Sequence, residues 1–232
     1  MKRLLFTACL AVALPASAAD QRETRNVSGF EALAVSAPIR VELKQGDVES
    51  LVVQGEDSAL AELETFVENG SLTLRQRSRG HVKHMAKVKA YVTMKEIRGI
   101  SAAGAGDIVA GSLRTGDVKL AVAGAGDLHI ADLTAQRVHA AVAGSGDLHL
   151  AGRADALEAG VAGSGDLRAG KLEVADAKVG VAGSGSAFVW ARASLHASVA
   201  GSGDLRYFGD PAVRKTSVTG SGSLRRAGAN PS

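Results

Sequence analysis

The sequence predicts an all-β chain wound as a parallel β-helix, or β-solenoid, and three observations predict it. A phrase close to Val-Ala-Gly-(Ala/Ser)-Gly-Asp-Leu recurs seven times, its first glycines spaced 18 to 20 residues apart. Such self-similarity at a short, nearly fixed period is the mark of stacked repeats. Apolar residues on either side of the glycines fall at every second position, as in Val118, Leu120 and Val122 and then Leu128 and Ile130, which is the period of a strand. A period of about 20 residues, once filled by a strand, a glycine corner, a second short strand and a turn near Leu133, leaves no stretch for a crossover helix.

One such coil cannot bury its own apolar face, but copies stacked at the strand spacing can, and seven of them make a column on the order of 34 Å long. The expected fold is therefore seven Gly-x-Gly-(Asp/Ser) coils, right-handed by the usual chirality of parallel crossovers. The composition agrees, since 28 glycines and only 3% aromatic residues suit a narrow column filled by Val, Leu and Ala. The corners are assigned to the glycine pairs Gly104/Gly106, Gly124/Gly126, Gly144/Gly146, Gly163/Gly165, Gly183/Gly185, Gly201/Gly203 and Gly220/Gly222. One or both members of each pair are expected at positive φ, where a Cβ is costly. A flexible Gly/Ser linker is the other source of such pairs, but linkers do not carry in-phase Val and Leu on both flanks.

Met1-Lys2-Arg3, an apolar run from Leu4 to Leu14, and Ala16-Ser17-Ala18 read as a secretory signal peptide over residues 1–18. The apolar run is too short to span a bilayer, and Cys9 stands too near Arg3 to be a lipidation site. Removing the segment takes away Lys2, Arg3 and Cys9, leaving 25 basic against 24 acidic residues and no cysteine. A balance this even gives no basis for nucleic-acid binding, and an exported chain without cysteine must be held by its ladders and core. After cleavage, nothing marks an integral membrane protein.

Residues 19–98 read as degenerate coils of the same domain that begin and cap the column. Phe30–Val35 and Ile39–Leu43 alternate around Ala37-Pro38, where later coils have glycines. Leu51–Val53, Leu72–Leu74 and Val88–Val92 follow as further strands. Asp57–Phe66 is the one helical candidate, with Leu60, Leu63 and Phe66 three apart and Ser58 as its cap. The regular repeats occupy residues 99–226, and 227–232 are expected to be a disordered tail. His81 and His84 sit in a basic run, Arg79–Lys87, which reads first as a solvated loop and only secondarily as a metal site.

Arg25–Phe30 leading into Leu33–Val41, then Asn69–Leu74 and the serial Ala-Gly-Ser-Gly-Asp-Leu copies, resemble the putative auto-transporter adhesin, head GIN domain family of bacterial exported proteins. The resemblance covers about residues 25 to 226. It implies a β-helical fold and an envelope location, and it brings no catalytic or binding residues with it.

Chemistry on the column would come from two outward rows. The position after the second glycine reads Asp107, Asp127, Asp147, Asp166, Ser186, Asp204 and Ser223; two residues on stand Val109, His129, His149, Arg168, Phe188, Arg206 and Arg225. Stacked in register, like carboxylates lie about 5 Å apart, which needs compensation. Each Asp can bond amides of its own glycine corner; neighbouring carboxylates can share a cation; or the basic row can face an anionic ligand such as a glycan. Ser186 and Ser223 favour the first, because Ser can bond an amide but is a poor cation ligand. A polysaccharide-acting enzyme is the less favoured class: the coils are minimal, and there is no nucleophile–base order, zinc spacing or phosphate loop. The reading is thus a non-enzymatic, cofactor-free envelope protein binding protein or glycan through a flat face, with His129, His149, Arg168, Phe188, Arg206 and Arg225 as candidate contacts. The alternative is a periplasmic structural, small-ligand- or cation-binding protein without adhesive role.

Overall fold

The computed structural model describes residues 21–77 and 85–229. The expected signal peptide, Cys9, His81, His84 and residues 230–232 lie outside the described residues. Among the described residues 17 strands form one hydrogen-bonded sheet, wound as a β-solenoid of about six turns. The seven glycine corners are thus the boundaries of about six full turns, where the sequence suggested seven coils.

Register follows the repeat. The corner glycines pair directly, Gly124 with Gly144, Gly144 with Gly163 and Gly163 with Gly183. The inward row Ile108, Leu128, Leu148, Leu167, Ala187 and Leu205 is in register and buried throughout. Val142 is equally buried, while Lys119 faces solvent and His149 is half-buried, so the predicted phase of alternation is the observed one.

Each coil bends more often than the sequence suggested. Leu128–Gly144 is a single 17-residue strand whose buried residues are 128, 130, 133, 135, 138, 140 and 142, with Gly146 following at the corner. The two-residue spacing is skipped after Ile130, after Ala135 and at the glycine corner. A coil therefore has three short walls, and the expected turn near Leu133 is a bend at Ala131-Asp132 joined by another at Gln136-Arg137. At the latter, one carbonyl, that of Gly116, accepts the amides of both Gln136 and Arg137 at 2.8 and 3.0 Å. Among the described residues the core holds no polar side chain.

The first part of the chain joins the same column in a different order. Ala32–Val35 lies between Gly99–Gly104 and Ser71–Gln76, and Arg40–Gln45 lies between Asp107–Arg114 and Lys89–Met94. The coil first in sequence is therefore second in the stack. Antiparallel strands then close this end: Leu63–Glu68 on Ser71–Gln76, Ser50–Gly55 on Lys89–Met94, and Gln21–Arg25 on Ser50–Gly55. The outermost, Gln-Arg-Glu-Thr-Arg, is charged and exposed, as suits an unpaired edge.

The helix is shorter than expected, Asp57–Glu62, with Glu56 rather than Ser58 at its N-cap. It buries Ala59 and Leu60 and stops because Leu63-Glu64-Thr65-Phe66-Val67 pairs with Ser71–Gln76, a run whose Thr, Phe and Val favour strand. At the other end the last strand, Ser223–Gly228, takes in the first residues of the expected tail.

The two glycines of a corner are needed for different reasons, and of the expected one or both at positive φ it is one. Only the first takes it: Gly104, Gly124, Gly144, Gly163, Gly183, Gly201 and Gly220 have φ between 90° and 129°. The second glycines, Gly106, Gly126, Gly146, Gly165, Gly185, Gly203 and Gly222, are not in the positive-φ region. Their requirement is steric, because each packs on the backbone of the neighbouring coil. A Cβ on Gly106 would stand 2.3 Å from the carbonyl oxygen of Ala37, the residue that occupies the corner of the first coil. On Gly126 it would stand 2.1 Å from the Gly106 oxygen, on Gly165 2.1 Å from that of Gly146, on Gly203 2.2 Å from that of Gly185, and on Gly222 2.2 Å from that of Gly203. Gly165→Val should therefore cost about 3 kcal/mol or more in a urea melt, while Ser164→Ala, whose side chain is exposed, should change stability by less than about 0.5 kcal/mol. Equal, small effects would contradict this account of the corner.

Candidate functional site

The strand ladders bring the two outward rows together as the spacing predicted. Val109, His129, His149, Arg168, Phe188, Arg206 and Arg225 are consecutive register partners. The aspartates lie on the same face two residues earlier, but their bonding differs from the expected Asx arrangement. Each carboxylate reaches across to the next coil: Oδ1 of Asp107, Asp127 and Asp147 accepts the backbone N–H of Asp127, Asp147 and Asp166 at 3.2, 2.8 and 3.0 Å. The Ser186 amide donates to Asp166 Oδ1 at 2.9 Å, and Ser223 donates both its amide and its hydroxyl to Asp204 Oδ1. The amides of each corner are already taken by the ladder. Ser164 and Gly165, for instance, both donate to the Gly144 carbonyl, so the amide left for a carboxylate is that of the acidic position one coil on.

The other carboxylate oxygens meet the basic row. Arg168 Nη2 stands 3.2 Å from Asp147 Oδ2 and 3.3 Å from Asp166 Oδ2, so one guanidinium offsets two stacked anions. The Ser223 hydroxyl, ahead of its backbone amide and of Arg206, holds the Asp204 carboxyl below the ordinary carboxylate range. The His129 and His149 rings are neighbours, tilted 44° to each other with centroids 5.6 Å apart. Burial, followed by the Arg168 charge, pushes His149 below its ordinary value of 6.5, against an opposing pull from Asp147. Among the described residues no group of three or more His, Cys, Asp or Glu converges as metal ligands.

Beside this row lies a groove of about 610 Å³, walled by His129, His149, Arg168, Phe188, Lys171 and Phe208 and floored by Ile130 and Leu150. It exists because the repeat is broken here. His149 pairs with Arg168 but Ala151 with Lys171, and Ala169 pairs with Val189 but Glu173 with Trp190. Residues 170–172 therefore bulge relative to Ser186–Gly201, on which they have no partners, with Lys171 exposed and Leu172 still buried. Gly170 admits the Phe208 ring, whose Cε2 would stand 3.2 Å from a Cβ at that position, and the Arg206 guanidinium lies 5.6 Å from the Phe188 ring centroid. Of the candidate contacts, His129, His149, Arg168 and Phe188 line the groove, Arg206 borders it through Phe188, and Arg225 lies one coil on beside Arg206. Lys171 and Phe208 were not among the residues singled out from the sequence. The bulge that brings them in is a departure from the period, and the spacing carries no signal for it.

The family model of the putative auto-transporter adhesin, head GIN domain, matches residues 29–211. The chain belongs to that family. A crystallised putative adhesin from Bacteroides fragilis is 25% identical and superposes with a TM-score of 0.87, over 90% of this GIN-domain chain and 98% of that one. Two proteins of Parabacteroides distasonis share the fold at a TM-score of 0.72. One is described as a putative adhesin, at 22% identity over 90% and 97% of the two chains. The other is described as a putative lipid binding protein, at 23% identity over 90% and 96%. A search of the curated proteins finds no match. No helix among the described residues of this GIN-domain chain is long and apolar enough to cross a membrane.

Two expectations follow from this geometry. Asp147→Ala leaves the Asp166 amide without its partner and should cost about 1 to 2 kcal/mol, with Asp147→Ser milder, and neither calcium nor a chelator should move Tm. An ion shared by Asp127 and Asp147 would instead add about 2.7 kcal/mol at a hundredfold excess of calcium over Kd. The second expectation concerns pH. Because His149 titrates lower in the fold than in the unfolded chain, the stability linked to its neutral form is complete above about 6.5 and is lost as pH falls through the folded value. His149→Gln should flatten the decline in stability as pH falls below about 6.5; urea melts that keep the wild-type slope would count against it.

Proposed function

We propose that the chain is an exported, non-enzymatic interaction module of the bacterial cell envelope, adhesin-like, that binds protein or glycan through a flat outer face of the solenoid. Residues 1–18 act as the export signal and are removed. The observation that carries this reading is the single row His129, His149, Arg168, Phe188 and Arg206, held outward on a wall whose backbone is paired on both sides. A wall of this kind does not rearrange around a reacting group; it presents fixed side chains to whatever docks. Membership in an adhesin family favours a surface partner. The geometry also favours binding over acid–base chemistry, since His149 Nε2 is 3.8 Å from Asp147 Oδ2, outside hydrogen-bond range, and that oxygen faces Arg168 instead.

Fractionation of producing cells combined with protease treatment of intact cells tests this. The expected outcome is an envelope-associated chain, lacking residues 1–18, that added protease digests without lysis, together with weaker attachment of cells from which it is deleted. A chain protected until the outer membrane is opened would overturn the surface role and leave a periplasmic binding or structural protein.

A further inference from the structure

We infer that the groove beside Phe188 is a binding site for a carboxylate-bearing oligosaccharide, a sugar ring resting against Phe188 and Phe208 and its carboxylate meeting Lys171 and Arg168; this names a ligand class for the proposed envelope role and rests on it.

The aromatic residues argue first. Only 3% of the chain is aromatic, yet Phe188, Trp190, Tyr207 and Phe208 fall within one coil and the start of the next, and all four remain partly exposed. Phe188 and Trp190 face outward by register, because Ala187, Val189 and Ala191 between and beside them are fully buried. Tyr207 packs against the core, but Phe188 and Trp190 stand on the outer side of a wall whose core is already filled by aliphatic side chains, so the fold has no need of rings there. An apolar ring left partly in water forgoes burial that a ligand covering it would recover.

The charges argue next. Lys171 makes no ion pair among the described residues, and both ion pairs of Arg168 use Nη2, which leaves its other donors for a ligand. Asp166 and the two histidines on the rim can exchange hydrogen bonds with hydroxyls. A groove of about 610 Å³ is of the size that holds a small ligand.

A peptide fits less well. Extended peptides gain affinity by adding a strand to a sheet edge, and the strands under the groove are paired on both sides, Leu148–Gly163 between Leu128–Gly144 and Leu167–Gly183, and the latter against Ser186–Gly201. Recognition here must run through rings, cations and hydroxyl partners, which is the chemistry of an acidic sugar.

The test is calorimetric titration of the purified chain with oligogalacturonate and sialyllactose, beside neutral maltotetraose and lactose and vesicles of phosphatidylglycerol. Binding of at least one acidic sugar, absent for its neutral counterpart and weakened by salt, is expected. Lys171→Gln and Phe208→Ala should each weaken it about tenfold, and Lys215→Gln, an exposed lysine on another wall, should leave it unchanged. Because Phe208→Ala can loosen the coil, Lys171→Gln decides where the two differ. Equal affinity for acidic and neutral sugars, binding that survives Lys171→Gln, or capture by vesicles with no acidic sugar bound would each overturn the inference. The two proposals fail separately: a chain that binds uronate but is shielded from protease on intact cells loses the surface role and keeps the groove, and an exposed, adhesive chain that binds neither acidic sugar loses the groove alone.

Discussion

Everything in this solenoid depends on how closely one glycine corner sits on the next. The carbonyl of Gly144 accepts the amides of Ser164 and Gly165 at 2.8 and 2.9 Å, and the Gly163 carbonyl repeats this for Ser184 and Gly185. At both glycines of the corner this approach leaves no room for a Cβ: one on Gly163 would lie 2.5 Å from the Gly144 oxygen, and one on Gly165 2.1 Å from the Gly146 oxygen. The corner is therefore a lock on register. A slip by one residue would place side chains into that contact as well as turn every buried Leu and Val to solvent, so two independent penalties hold each coil to its neighbour.

A locked register makes columns, and columns of like charge are the cost of it. The aspartates meet that cost with one oxygen on the backbone amide of the next coil, and Asp147, Asp166 and Asp204 turn the other towards an arginine. Asp147 does both, with Oδ1 on the Asp166 amide and Oδ2 on Arg168. The arrangement is directional, since each carboxylate serves the following coil, and it explains why serine can stand in the row: Ser186 needs only to offer its amide to Asp166. The same pairing leaves the basic row partly spent. The groove's free charge comes instead from Lys171, at the place in the coil that Ser112 and Asp132 hold in earlier copies.

This division also explains what the sequence made legible. Period and phase are properties of one coil, so the alternation at Val118–Val122, the burial of Leu148 and the outward rows could all be read from a single copy and extended by counting. Relations between coils that obey the period were equally readable. What lay beyond reach is where the period fails or is too degenerate to count. The bulge at 170–172 and the Phe208 ring over Gly170 are such failures. The exchanged order of the first coils depends on which strands pair, and Ala37-Pro38 replaces the glycines that would have marked their place. The helix ended at Glu62 because Thr65 and Val67 had a partner strand that helical spacing does not register, and the Asp contacts were assigned to the wrong coil because spacing does not reveal which amides the corner has already used. The split between the corner glycines was hidden for a related reason: a single copy shows that Gly126 and Gly203 recur, but the oxygen each lies against belongs to the coil below.

The failures of the repeat are where its chemistry gathers. A ligand carrying carboxylates would be repelled along an unbroken row of aspartates, however many cations stood beside it. At the coil where Phe188 replaces the His or Arg of its neighbours, Ser186 replaces the Asp, removing one negative charge from the row beside the aromatic ring. The preceding coil there bulges to present Lys171, the Phe188 coil is itself short, 18 residues from corner to corner, and the following coil supplies Phe208 and Arg206. Each change taken singly is a tolerable irregularity in a solenoid. Together they lower the local negative potential, open a concavity and expose rings on one stretch of one face, while the glycine corners on either side keep that stretch rigid. Regular coils supply the platform, and the departures from regularity set what the platform can recognise.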